Sequence, residues 1–234
     1  MKILALDTTG ESLSLAIGEG ERTLTQSSRP GRPHDVRLFP ELDRLLRRAR
    51  CSLPDIGAIA VAAGPGRFTG IRIGMTFAAV LARALERPVA AVSLLEAAAH
   101  RAAAADFGSA GLLCAALPGI RDEIFMQFFH CRRGMSEAAA KPLWALPQDA
   151  ARRLKEASRE AEIRLCGPAA AQAFALAGGS GRLRVIPGSE RPLAAADILP
   201  VALRRLLGKR PAPLIPLYLK PANYERVHTP GAGR

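Results

Sequence analysis

Residues 57–74 read GAIAVAAGPGRFTGIRIG. The string passes from a short apolar run at 59–63, through a glycine-rich loop at 64–70, into an apolar helix at 71–85. That helix must stop before Pro88, because proline lacks the N–H and its ring clashes with the preceding turn. A buried strand, a tight loop and a helix, followed by another apolar run at 89–92, make the repeating unit of a sheet with helices on its faces.

Toward the N-terminus, 2–7, 12–17 and 22–27 read as three strands. The links Gly10-Glu11 and Glu19-Gly20-Glu21 are so short that the strands form an antiparallel meander. After a Pro/Gly-rich loop at 29–33, Leu38, Leu42, Leu45 and Ala49 recur at helical spacing, with Asp35 as N-cap and Pro40 near the start as a source of a kink. An alanine-rich helix fills 94–105. The same order then starts again: strands at 112–117, 123–130 and 136–143, a helix at 148–158, a strand at 163–166, a helix at 169–176, a strand at 183–186 and a helix at 194–207. No identity between the halves is visible, so the repeat is one of topology. It divides the chain into lobes at 1–104 and 105–224, with 225–234 as a flexible tail.

About half of the 234 residues are apolar, enough to bury a real core and to exclude disorder of the whole chain. Cys51, Cys114, Cys131 and Cys166 are widely spaced with no CxxC pair, which reads as free thiols in a reducing cytosol. Asp7 cuts the first apolar run too early for a signal peptide, and no later stretch reaches the roughly 20 uninterrupted apolar residues of a membrane span. A cytoplasmic chain is the expectation. The net charge of +12 would steer polyanions toward it. The same excess of arginine over lysine, beside abundant alanine, also arises from genome base composition without selection for binding.

Two constellations stand at the ends of strands. Asp7-Thr8-Thr9 could face a phosphate or a metal, or could simply satisfy its own turn. The loop 64–70, with Gly64, Gly66 and Thr69, offers close backbone approach and a helix N-terminus to an anion, yet it matches neither the Walker A pattern nor GxGxxG. Along the following helix Gly70, Gly74, Ala78 and Ala82 recur every fourth residue, a ridge that suits the chain's own sheet or a partner helix equally. Ile73, Phe77, Val80, Leu81 and Ala84 make the opposite side apolar too, so the helix is expected to be covered on two sides. His34, His100, His130 and His228 form no HxxxH or HExxH pair, no Gly-x-Ser-x-Gly elbow occurs, and Asp122 and Glu123 point to opposite faces if they lie on a strand.

Residues 3–9 (ILALDTT), His34 with Leu38 and Pro40, the stretch 57–74 and the closing PLIPLYLK at 213–220 together resemble the bacterial TsaB family, also called YeaZ. The resemblance implies an α/β, two-lobed fold of the actin, hexokinase and Hsp70 type (ASKHA), each lobe a ribonuclease-H-like mixed sheet with flanking helices. It also implies no independent catalysis and no cofactor. In that family the subunit TsaD holds the metal through an HxxxH pair and transfers threonylcarbamoyl to the adenosine beside the tRNA anticodon. TsaB supports TsaD through a helical dimer interface, and an ATPase, TsaE, completes the complex. Departures are Arg67 for the usual serine, Asp35 for a hydroxyl residue, Lys220 for arginine, and Pro118-Gly119-Ile120-Arg121 in place of an Asp-Ala-Arg segment.

The resulting expectation is a scaffold without membrane contact whose helices near 35–50 and 70–86 pair with TsaD, or with a second copy when alone, and which meets tRNA only through the complex. Leu38, Leu42, Leu45, Gly70, Gly74, Ala78 and Ala82 are its expected interface residues, and Asp7, Thr8, Gly64, Gly66 and Thr69 its candidate anion or nucleotide contacts. The alternatives are a kinase or peptidase with an interlobe nucleotide site, for which the metal pair, nucleophile and second phosphate loop are missing from the sequence, and a tRNA-binding module built on the arginines.

Overall fold

The computed structural model describes residues 1–20, 22–30, 34–106, 110–179, 181–208 and 213–220. Glu21, the 31–33 part of the first loop and the tail at 225–234 lie outside the described residues. The first sheet holds β1 (Lys2–Asp7), β2 (Ser12–Glu19), β3 (Arg22–Pro30), β4 (Ile56–Gly64) and β5 (Val89–Ser93) in the order β3-β2-β1-β4-β5. The first three strands pair antiparallel, as their short links require, and β4 and β5 run parallel to β1. Parallel neighbours need a crossover, supplied by α1 (His34–Arg48) and α2 (Phe68–Leu85) on one face.

The second sheet repeats this plan. β6 (Gly111–Pro118), β7 (Ile124–Arg132), β8 (Met135–Ala138), β10 (Ile163–Cys166) and β11 (Leu183–Val185) lie in the order β11-β10-β6-β7-β8, with β9 (Leu143–Ala145) also on β7. α4 (Pro147–Glu160) and α5 (Ala170–Leu176) cover its outer face. The single strand expected at 136–143 is thus two short ones. Pro142 has no N–H for a ladder, and the chain turns away through Ala139, whose N–H reaches Phe128 O at 2.9 Å.

The two remaining helices cross over. α3 (Leu94–Ala105) leaves the first sheet and packs on β6, β7 and β8, while α6 (Ala195–Leu207) returns to lie on β1, β2, β4 and β5. A cut between residues 104 and 105 separates the sheets but not their cores. The period of two decides which residues meet these helices: Ile3, Ala5, Ala58, Ala60 and Ala62 point to the shared core, and Leu4, Leu6, Ile59 and Val61 to α1 and α2. The alanines let α6 come so close that a Cβ on Gly18 would stand 2.7 Å from Leu199 Cδ1.

Asp35 lies inside the first turn of α1 rather than capping it, and α2 begins at Phe68, three residues before the expected start, because Ile71 N–H closes a turn on Arg67 O at 2.9 Å. By length and composition α2 alone among the described helices would suffice to cross a membrane. Here it links two adjacent parallel strands and buries its small-residue face on their sheet.

Candidate functional site

β1 and β4 are parallel neighbours, so the loops that leave their C-terminal ends must meet. Asp7, Thr8 and Thr9 leave β1, and Gly64 to Arg67 leave β4 and enter α2. Of the candidate anion contacts, the structure brings Asp7, Thr8, Gly64 and Gly66 to one place, with Thr69 exposed in the first turn of α2. It does not leave them open. Asp7 is buried and its Oδ1 accepts from Thr9 N at 2.9 Å and Thr9 Oγ1 at 2.7 Å. Burial pushes its carboxyl above the usual range, against those two bonds and the nearby His34. Thr8 Oγ1 donates to Gly70 O at 2.7 Å, and Arg67 N–H donates to Thr9 O at 2.8 Å.

The glycines make this closeness possible. A Cβ on Gly66 would stand 2.7 Å from both Thr9 Cβ and Thr9 O, and one on Gly64, at φ +111°, 2.9 Å from Ile71 Cδ1 and from Leu217 O. The Cβ positions of these two glycines are thus taken up by the chain's own atoms, while Gly66 and Thr69 stay exposed at the start of α2.

The ridge has the same explanation. Gly70, Gly74, Ala78 and Ala82 are all buried, and a Cβ on Gly74 would collide with Thr8 Oγ1 and stand 3.5 Å from Leu6 Cδ1 and Val61 Cγ2. Leu38, Leu42 and Leu45 point into the same core. The expected interface residues therefore face inward, and the structure corrects that assignment: the small side chains serve the contact of α2 with its own sheet.

The other faces of α1 and α2 remain uncovered. Val36 is 66% exposed, Phe39 65% and Val80 64%, and Phe39 meets the half-buried Phe77 edge-on with centroids 5.2 Å apart. The second apolar side expected at Ile73, Phe77, Val80, Leu81 and Ala84 includes Phe77 and Val80 of this face, whereas Val36 and Phe39 are not among the residues the sequence pattern singles out. The signal was present in their place off the Leu38, Leu42, Leu45 stripe of the same helix.

A strap at 213–220 closes the C-terminal edge of the first sheet. Leu217 N–H donates to Ala63 O at 2.8 Å, Tyr218 lies on Phe68 with centroids 4.9 Å apart, and Arg72 Nε reaches Tyr218 Oη at 3.3 Å. The strap ends on the second lobe, where Lys220 Nζ donates to both carboxylate oxygens of Glu123 at 2.7 Å. Burial alone would raise the Glu123 carboxyl, but hydrogen bonds from Lys220 and Trp144 outweigh it and hold the group below its ordinary value. The departing segment at 118–121 forms the hairpin before Glu123, with Arg121 and Asp122 both at positive φ and Gly119 N–H bonded to Glu123 O at 2.7 Å.

Two sheets of one ribonuclease-H-like topology sharing a core through exchanged helices define a protein of the two-lobed actin and hexokinase class. The Arthrobacter inorganic polyphosphate/ATP-glucomannokinase shares that fold, with a TM-score of 0.52 at 13% identity, covering 87% of this chain and 97% of the kinase. A family model described as TsaD, tRNA N6-adenosine threonylcarbamoyltransferase, matches residues 24–178. The chain is 31% identical over 160 residues to the Bacillus subtilis tRNA threonylcarbamoyladenosine biosynthesis protein TsaB, covering 68% of each. It is 39% identical over 95 residues to the Escherichia coli protein of that name, spanning 41% of that relative's length. A Pseudomonas aeruginosa structure described as an uncharacterized protein with similarity to peptidase YEAZ superposes with a TM-score of 0.70 at 28% identity, covering 94% of this chain and 99% of that one. The chain belongs to the family that the TsaD model describes and, within it, to the TsaB (YeaZ) proteins.

Proposed function

We propose that this chain is the non-catalytic scaffold subunit of the cytoplasmic machinery that places threonylcarbamoyl on the adenosine next to the tRNA anticodon, and that it works by dimerising with the transferase subunit TsaD. The observation that carries this reading is the uncovered face of α1 and α2, where Val36, Phe39 and Val80 stand in solvent around the Phe39–Phe77 pair. Clustered exposed apolar side chains on two adjacent helices are the mark of an association surface. The names of the relatives supply the tRNA modification, and the match to the TsaD model supports a partner of like fold, so that the pairing joins equivalent helices. In the absence of TsaD a second copy takes its place, and the ATPase TsaE completes the assembly.

The β1 and β4 loops hold each other closely: Asp7 is tied to its own turn and Gly66 lies against Thr9, which supports a structural use of this pair of loops.

The test is the full chain with Phe39→Arg or Val80→Arg, titrated against TsaD by analytical ultracentrifugation. Because both side chains are exposed, the variants stay folded. Each loses roughly 30-fold or more in affinity, the scale of a central interface anchor, and threonylcarbamoyl transfer falls with it. Unchanged affinity in both variants would remove the basis of this reading.

A further inference from the structure

α1 and α2 each run back from the C-terminal to the N-terminal edge of the first sheet, so both end at the same edge. That edge is opposite the Asp7 and Gly64 loops. α1 closes with Arg47 and Arg48, followed by Arg50; α2 closes with Arg83, followed by Arg87. Pro88 O accepts from Ile59 N at 3.0 Å, which ties the second group to the start of β4, and Arg22 at the start of β3 pairs with Glu19 at the end of β2.

About half of the other described arginines are matched to acids, among them Arg67 with Glu11, Arg101 and Arg191 with Asp197, Arg152 with Asp149 and Glu156, Arg184 with Glu162, and Arg204 and Arg205 with Glu96; Arg121, Arg132, Arg133, Arg153, Arg159 and Arg182 on the second lobe enter no ion pair among the described residues. Arg72 is also engaged, its guanidinium 3.8 Å over the Phe68 ring. Among the described residues, the five arginines at the helix ends enter no ion pair. Of the nearby acids, Glu19 faces the N-terminal amine at 3.9 Å and Asp55 accepts from Ser52, which leaves Asp43, one turn before Arg47, and Glu86 as counter-charges to five arginines. Two helix C-termini favour cations in and just past their last turns, which accounts for one or two arginines at each end but does not require all five. Base composition explains how many arginines the chain has, not why five of them gather where two neighbouring helices end.

We infer that this edge, with Arg47, Arg48, Arg50, Arg83 and Arg87, binds the phosphate backbone of a structured RNA, which under the function proposed above is the tRNA itself. The surface is positive, exposed and without aromatic platforms, so it reads charge and shape rather than base sequence. It adds a direct tRNA contact to those made through the partner.

The experiment compares the full chain, alone and with TsaD, for binding of an unmodified tRNA transcript by fluorescence anisotropy over a salt series. Arg47→Gln, Arg50→Gln and Arg87→Gln are combined in one variant. A second variant carries Arg153→Gln, Lys155→Gln and Arg159→Gln on α4, the same loss of charge from another exposed helix face. The edge variant is expected to bind about tenfold or more weakly near 0.1 M salt, and its slope of log K against log salt should be shallower by about 2, from some three lost contacts. The α4 variant should change less than about threefold. Equal losses in the two variants would show that only net charge acts, and unchanged binding in both would show no contact; either overturns the inference. So would an intact tRNA affinity in the edge variant together with lost binding to phosphatidylserine vesicles. Ultracentrifugation of each variant with TsaD separates this result from the scaffold reading, since the edge variant keeps its partner unless that reading itself fails.

Discussion

Gly70→Ala sets two effects of known sign against each other. In an open helix the change stabilises by about 1 kcal/mol, because alanine loses less backbone freedom than glycine. Here the new Cβ would stand 3.1 Å from the Thr8 carbonyl carbon and 3.4 Å from Thr9 Cα, with the Thr8 carbonyl oxygen nearer still, far inside contact distance. Backbone cannot rotate away as a side-chain tip can. This backbone is also held by the Thr9 bonds to Asp7 and by Arg67 N–H on Thr9 O. The first turns of α2 must lift from the β1–β2 turn, which costs about 1–3 kcal/mol in misfit and strains the buried bond from Thr8 Oγ1 to Gly70 O, about 1–3 kcal/mol more if it breaks. The net expectation is a loss of about 1–5 kcal/mol. With a urea m-value of about 2–3 kcal/mol/M, a loss of about 3 kcal/mol lowers the midpoint by about 1–1.5 M in denaturation followed by far-UV circular dichroism. Gly10→Ala makes the same chemical change where no atom lies within 4 Å of the added Cβ, and should move the midpoint little. A Gly70→Ala chain as stable as the parent would mean that the glycine ridge is not what seats α2 on its sheet.

Ala78→Arg forces a guanidinium into a site with no exposure, so this chain should fail to fold by circular dichroism, while Val80→Arg two residues on gives a folded one; a well-folded Ala78→Arg chain would place the ridge outside after all. Lys220→Met removes the donor that holds the Glu123 carboxyl down. A carboxyl lowered on folding stabilises above its unfolded value of about 4.3 and loses that contribution as pH falls through the folded value. Urea midpoints of parent and variant should therefore differ most near neutral pH and draw together below about pH 4; a gap that stays constant down to pH 3 would count against the ion pair.

Much of the architecture was legible because chemically distinct breakers bound each apolar run. Asp7 ends β1, Ser93 separates β5 from α3, and Gly167 follows β10, so those elements fall where the pattern puts them. The single strand expected at 136–143 divides into two because no apolar alternation runs through its alanines and Lys141, and Pro142 cannot donate to a ladder. The exchange of α3 and α6 could not be read at all: an alanine-rich helix fits either sheet, and only the joint packing of both sheets selects one. At the site, adjacency of Asp7 and Gly64 follows from parallel strands, but what glycine there accommodates does not. A glycine spaced to admit a phosphate and one spaced to admit Thr8 backbone look alike in sequence. The fourfold spacing of Gly70, Gly74, Ala78 and Ala82 defined a face of α2 without saying what it met, and with both faces apolar the sheet took the one that allowed the closer approach.

Once the ridge is turned inward, what α1 and α2 leave exposed divides along their axes. The Phe39–Phe77 pair marks the middle of the apolar face, nine residues before Arg48 and eight before Leu85. At 1.5 Å per residue the basic edge begins about 12 Å beyond that pair at Arg47 on α1 and about 9 Å beyond it at Arg83 on α2. A partner helix pair seated across the apolar face would cover Val36, Phe39 and Val80 and border Arg83, one turn beyond Val80, while Arg47, Arg48, Arg50 and Arg87 project past it. The proposed partner surface and the proposed RNA surface can then be occupied together. Placing both on the same two helices couples them rigidly, since any reorientation of α1 and α2 by the partner carries Arg47, Arg48 and Arg87 with it. A scaffold of this form would affect the transfer reaction without chemistry of its own, by fixing where the RNA backbone lies relative to the bound transferase.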